Sequence, residues 1–95
     1  MAKGYVIVTE SIKDPAGMAE YGKAAAKAMA KGVKVLAIDT EPQVLEGEWP
    51  ATQTVVLEFE SPEAARAWYE SEEYQAAIPL RQAAADCNAV IVNGL

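Results

Sequence analysis

Two stretches of the chain carry the same device, a short apolar, β-branched run followed by a helix-capping residue and then a proline. GYVIVTE (4–10) leads to Asp14 and Pro15, and TVVLEFE (54–60) leads directly to Ser61 and Pro62. Runs of this kind read as strands. Aspartate or serine can satisfy an orphan backbone N–H at a helix start, and proline fits the first helical position because its missing N–H would have had no helical partner. Two strand-then-helix half-units are therefore expected. They are alike in layout but not in sequence.

The remaining elements complete the pattern. Met18, Tyr21, Ala25, Ala28 and Met29 recur at helical spacing, and Gly32 after Lys31 is a stop signal, which predicts a first helix of about sixteen residues. VKVLAID (33–39) and CNAVIVN (87–93) read as the second and fourth strands. The second helix should run from Pro62 to Glu70. Ser71 then caps a new turn, with Glu72 and Glu73 favourably placed at its positive end. Pro79 removes the bond to the carbonyl of Gln75, so a kink or break is expected near Ile78. The order strand, helix, strand, strand, helix, strand describes an α+β, ferredoxin-like βαββαβ fold, a four-stranded antiparallel sheet with helices on one face. With 95 residues, there is material for a single core, hence one domain over 1–95.

A sheet with helices on one face ordinarily shows polar residues on the other. Here both rows are apolar. The first strand sends Tyr5 and Ile7 one way and Val6 and Val8 the other. The last sends Ala89 and Ile91 opposite Val90 and Val92, and the second sends Val35 and Ala37 opposite Leu36 and Ile38. A second copy of the chain, packed sheet to sheet, is the economical cover. On the third strand the row Val55, Leu57, Phe59 is apolar, whereas the opposite row places Glu58 mid-sheet on the partner-facing side. That carboxylate needs either a rim salt bridge or a role as an acid or base in a cavity.

Composition excludes several classes of function. The chain has no histidine, which removes histidine-based nucleophile activation and imidazole ligation of zinc or haem. Cys87 is the single cysteine, so no intramolecular disulfide and no multi-cysteine metal site is expected, and a cytoplasmic location follows as the default. The net charge of −6 and the scattered lysines argue against nucleic acid and an anionic membrane surface as partners. Lys23, Lys27, Lys31 and Lys34 read as the solvated side of the first helix. No GxGxxG or P-loop pattern occurs. No metal and no cofactor are expected.

AWYESEEYQAAIPLR (67–81) concentrates aromatic residues beside an arginine. Trp68 and Tyr69 are adjacent on a helix and point about 100° apart, so both cannot face the core alike. Trp68 reads as core, while Tyr69 and Tyr74 are candidates for lining a cavity. In VLEGEWP (44–50), Glu46 and Gly47 supply turn chemistry, and Trp49 either anchors the loop to a partner or forms a pocket wall.

GYVIV, DPAGMAEY (14–21), VLEGEWP (44–50), VVLEFESPEAARAWYESEEYQ (55–75) and PLRQAAAD together resemble a widespread family of small bacterial domains of unknown function. That family is placed in the dimeric α/β-barrel superfamily. The resemblance implies a dimer whose sheets face each other, and it matches Tyr21, Glu46, Gly47, Trp49, Trp68, Tyr69, Ser71, Tyr74 and Arg81 to recurring family positions. This chain departs from the family at KGVKVLAIDTEP, where Lys34, Asp39 and Glu41 replace the glycines and arginines of many relatives. A preference for anionic ligands is therefore not carried over.

Two functions are expected from these features. The first is a small-molecule-binding homodimeric domain with an apolar, aromatic pocket, its ligand contacts drawn from Tyr21, Glu46, Trp49, Trp68, Tyr69, Tyr74 and Arg81. The alternative is a cofactor-independent enzyme of monooxygenase or isomerase type, acting on a small aromatic or polyketide-like substrate. Glu46 or Glu58 would then be the acid or base, and Arg81 would hold an oxyanion.

Overall fold

A computed structural model describes residues 2–29, 32–50 and 52–95. The elements are β1 (Gly4–Ile12), α1 (Pro15–Ala28), β2 (Lys34–Asp39), β3 (Gln53–Phe59), α2 (Pro62–Tyr69), α3 (Glu72–Ala84) and β4 (Ala85–Asn93). The strands form one antiparallel sheet in the order β2-β3-β1-β4, so the two half-units interleave and β1 and β3 occupy the centre. This is the ferredoxin-like arrangement, with the helical segment after β3 divided in two.

That division lies where the sequence places it. Ser71 Oγ accepts from the backbone N–H of Tyr74 at 3.3 Å and donates to the carbonyl of Trp68 at 2.7 Å, closing α2 and opening α3 with one hydroxyl. Ser61 caps α2 in the same manner, accepting from Ala64 N at 3.0 Å. Asp14 differs. It occupies the N-cap of α1 in extended conformation, with Pro15 following, but its carboxylate makes no capping bond. Instead, the backbone N–H groups of Lys13 and Asp14 both donate to the carbonyl of Ala84, at 2.8 and 3.0 Å. The start of α1 is thus tied to the end of α3.

Three sequence expectations change. α1 ends at Ala28 with Met29 as its C-cap, earlier than Gly32 implied; Gly32 lies beyond in the left-handed region at φ 70°, and Ala30 and Lys31 fall outside the described residues. Pro79 does not break α3, which continues through it from Glu72 to Ala84. Pro79 and Gln75 are both exposed, so the carbonyl deprived of its helical partner can turn to water. The buried row of Tyr74, Ala77, Ile78, Arg81 and Ala84 meanwhile holds the helix down. Finally, β2 carries a bulge: Val35 stands opposite Leu57, and Ala37 stands opposite Val56. One residue is gained on β2, so Val35 and Ala37 do not share a face as plain alternation implied.

The core lies between the sheet and the helices. Val6, Val8, Leu57 and Phe59 rise from the sheet to meet Ala65, Trp68, Tyr74, Ala77 and Ile78. Gly4 is required where β1 passes beneath the start of α2, because an added Cβ would lie 2.5 Å from the Ser61 carbonyl oxygen and 2.6 Å from the Pro62 backbone. Neither of those backbone neighbours can swing aside as a side chain would.

Two stability tests follow. Gly4→Ala should destabilise the fold by about 1–3 kcal/mol in urea unfolding, as forced overpacking does. Ser61→Ala should cost about 1 kcal/mol, and Asp14→Ala distinctly less, because only Ser61 makes the capping bond.

Candidate functional site

A cleft of about 500 Å³ opens between α1 and the helix-facing side of the sheet. Its position follows from strand parity. Val6, Val8, Glu10 and Ile12 share one face of β1, and Gln53, Val55, Leu57 and Phe59 share the same side of β3. Ile38 of β2 joins them through the bulge, paired with Val55. α1 contributes Met18 and Tyr21, its C-cap contributes Met29, and Trp68 and Tyr74 close one end. Most of this wall is apolar, and two methionines give it adaptable surface.

The polar groups are few and largely buried. Glu10 is only 2% exposed, and its Oε1 accepts from Gln53 Nε2 at 2.7 Å. Cys87 of β4 stands directly across from Glu10 in register. Tyr21 and Tyr74 share a hydroxyl-to-hydroxyl bond of 2.7 Å, linking α1 to α3. Arg81, 3% exposed, places its guanidinium carbon 5.9 Å from the centroid of the Tyr21 ring. Its Nε is buried without a hydrogen-bond partner among the described residues, as is Trp68 Nε1.

These surroundings set the protonation of the tyrosine. Burial, followed by the neighbouring Tyr74, pushes the Tyr21 phenol far above its ordinary pKa, outweighing the downward pull of Arg81. Tyr21 therefore stays a neutral phenol, able to donate or accept a hydrogen bond but not to act as a phenolate base. Burial opposes the charge of Arg81, yet Tyr74, Cys87 and Tyr21 together raise its pKa, so it remains a cation.

An aromatic series holds the closed end. Phe59 and Trp68 have centroids 5.3 Å apart, Trp68 and Tyr74 lie 4.0 Å apart, and Tyr74 meets Tyr21 edge-on at 6.3 Å. Tyr69 packs on Tyr74 at 5.7 Å from outside the cleft. It borders a separate hollow with Arg66 and Ile91.

Of the residues singled out from the sequence, Tyr21, Trp68 and Tyr74 line the cleft, and Arg81 packs against Tyr21 behind it. Glu46, Trp49 and Glu58 lie elsewhere in the chain. Glu46 is exposed in the loop between β2 and β3, where Gly47 takes a left-handed φ of 71°. Trp49 donates from Nε1 to Thr54 Oγ1 at 2.8 Å, pinning that loop to the sheet face away from the helices. Glu58 is on that same open face, in register with Lys34 on one side and Tyr5 on the other. Partial shielding and the Glu58 charge raise the Tyr5 phenol's pKa. Asp39 accepts from Glu41 N at 2.8 Å and shapes the turn after β2. Glu10 and Gln53 are absent from the residues expected from sequence, although Glu10 carries a signal there: it shares the parity of Val6 and Val8, a carboxylate on a core-facing row.

Fold and cleft define a ferredoxin-like α+β domain with an apolar recess between its first helix and its sheet. The chain belongs to the family described as a domain of unknown function, DUF1330, whose model matches residues 3–95. Among solved structures it is similar to a protein of unknown function from Rhodopseudomonas palustris, at 18% identity and a TM-score of 0.75, covering 99% of this chain and 83% of that one. It is also similar to a dimeric ferredoxin-like protein of unknown function from Thermobifida fusca, at 19% identity and TM-score 0.68, covering 99% and 92%. A dimeric ferredoxin-like protein of unknown function from Jannaschia gives 15% identity and TM-score 0.67, with 96% of each chain covered. Nothing among curated proteins matches the chain. No helix among the described residues is long and apolar enough to cross a membrane.

The raised Tyr21 pKa has a consequence for stability. A free tyrosine ionises near pH 10, so the unfolded chain loses that proton there while the folded protein retains it. Stability from this group is complete below pH 10 and is lost as pH rises above it. Denaturation midpoints measured at pH 8 and pH 11 should fall further in the wild type than in Tyr21→Phe.

Proposed function

We propose that the protein is a homodimeric small-molecule-binding domain whose ligand lies in the cleft between α1 and the sheet. The cleft itself carries this reading. Its volume of about 500 Å³ suits a small organic molecule. Its walls are mostly apolar, and Glu10, Gln53 and Tyr21 are the few polar side chains that converge there. Among the described residues the cleft pairs no nucleophile with a base, and Tyr21 is held as a neutral phenol. Binding therefore has more support than turnover.

The dimer is supported by the open face. Val90 and Val92 are 53% and 41% exposed there, beside half-buried Tyr5, Ile7 and Val56. The loop pinned by Trp49 carries two further exposed apolar residues, Val44 and Leu45, the latter 91% exposed. A patch this apolar is unusual on a monomer and is the kind of surface a two-fold copy covers. A sheet-to-sheet dimer would also place the rim pair Lys34 and Glu58 at the interface.

Light scattering at micromolar concentration should return twice the subunit mass, and Val90→Asp should shift the population towards monomer while leaving the circular dichroism spectrum unchanged. A wild-type monomer would overturn the dimer. For the cleft, the neutral fluorophore N-phenyl-1-naphthylamine should bind with saturable enhancement that is lost in Gly22→Leu. Gly22 borders the cleft, and an added Cβ there meets nothing within 4 Å, so the variant should fold. Equal binding by both proteins would place the fluorophore elsewhere.

A further inference from the structure

Glu10 is a deeply buried carboxylate that stands outside the apolar core cluster. It sits on the helix-facing row of β1, at the polar end of an otherwise apolar cleft. Burying such a group is costly unless it is paired or well hydrogen-bonded. Its one side-chain partner among the described residues is the neutral amide of Gln53, and no lysine or arginine there comes within ion-pair distance of it. Arg81 packs against the Tyr21 ring and Glu10 acts on the same tyrosine, so an acidic and a basic side chain are both buried around it. A ligand bringing its own negative charge would face the Glu10 carboxylate across a low-dielectric space. A ligand with no donor would leave the carboxylate with Gln53 as its one side-chain partner among the described residues.

Resting on the reading of the cleft as a binding site, we propose that Glu10 selects the ligand class: uncharged, hydroxyl-bearing apolar compounds of phenol type, held through a hydrogen bond from the ligand hydroxyl to the Glu10 carboxylate. The apolar body lies against Val8, Val55, Leu57 and Met18. Gln53 steers the acceptor by fixing Oε1, which leaves the carboxylate oriented before any ligand arrives. The arrangement rejects carboxylates of the same shape and discriminates against ethers. Discrimination of this kind is strong because a site built to accept a hydrogen bond is left unsatisfied by an analogue lacking the donor.

Three bicyclic probes of matched shape separate the possibilities: 2-naphthol, 2-methoxynaphthalene and 2-naphthoate, titrated at pH 7 into the ¹⁵N-labelled dimer, with amide shifts of β1, β3 and α1 reporting the location. 2-Naphthol should bind about tenfold or more tightly than either analogue, the scale of a hydrogen bond to a charged acceptor. Glu10→Gln, which keeps an oxygen facing Gln53, should remove most of that advantage and improve binding of 2-naphthoate. Equal affinity of the wild type for 2-naphthol and 2-methoxynaphthalene, or tighter binding of 2-naphthoate, would overturn the role of Glu10 and leave the cleft reading intact. Failure of all three probes to shift the cleft amides would overturn the cleft reading, and the selection with it. The wild-type series decides the matter even if Glu10→Gln does not fold.

Discussion

The packing of Tyr74 is the constraint from which the rest of the helical layer follows. It is 1% exposed, its ring lies 4.0 Å from that of Trp68 on α2, and its hydroxyl bonds to Tyr21 on α1. One side chain of α3 therefore sets the position of both other helices over the sheet. Aromatic pairs add energy beyond the area they bury, and a buried hydroxyl that found no partner would cost more than the contact gains. Tyr21 supplies that partner, which fixes how closely α1 can approach and leaves the recess beneath its middle turns.

The recess follows from where α1 is held, at its start and at its middle. At its start, the Lys13 and Asp14 amides hold it to the end of α3, and farther along Tyr21 meets Tyr74. On either side of Tyr21 the residues of this segment that line the cleft include Met18, Ala19, Gly22, Ala25, Ala26 and the C-cap Met29, too small or too pliant to fill the space above Val8, Val55 and Leu57. A core of larger branched side chains would have closed it. The acidic and basic side chains near it, Glu10 and Arg81, each meet a neighbour that offsets part of the cost of burial, the Gln53 amide for Glu10 and the Tyr21 ring for Arg81.

Strand parity explains both what could be read early and what could not. The alternation in GYVIV correctly separates Val6 and Val8, which enter the core, from Tyr5 and Ile7, which face outwards. The same alternation fails in VKVLAID because a bulge adds one residue opposite Val56, and no residue type in that run announces it. Pro79 shows the opposite error. Its local chemistry predicts a kink or break, and the helix runs on without a break, because the lost hydrogen bond lies on the solvent side while the buried side of α3 gains from continuing. Of the aromatic candidates, Tyr21, Trp68 and Tyr74 meet at one end of the cleft, whereas Trp49 and Glu58 belong to the open face. Residues far apart in the chain do not disclose which side of the sheet they will share.

The sequence by itself determined the order of the elements, the two serine caps, the turn at Glu46 and Gly47, and the presence of apolar rows on both faces of the strands. These depend on local propensity and on periods of two or near four residues, which a linear chain displays directly. Only the tertiary structure decided that Glu10, from the first strand, would stand beside Gln53, Cys87 and Tyr21, each from a different element. That meeting depends on strand register and on the height at which Tyr74 holds α1 above the sheet. Both are set by packing between segments many residues apart, and neither leaves a periodic trace in the sequence.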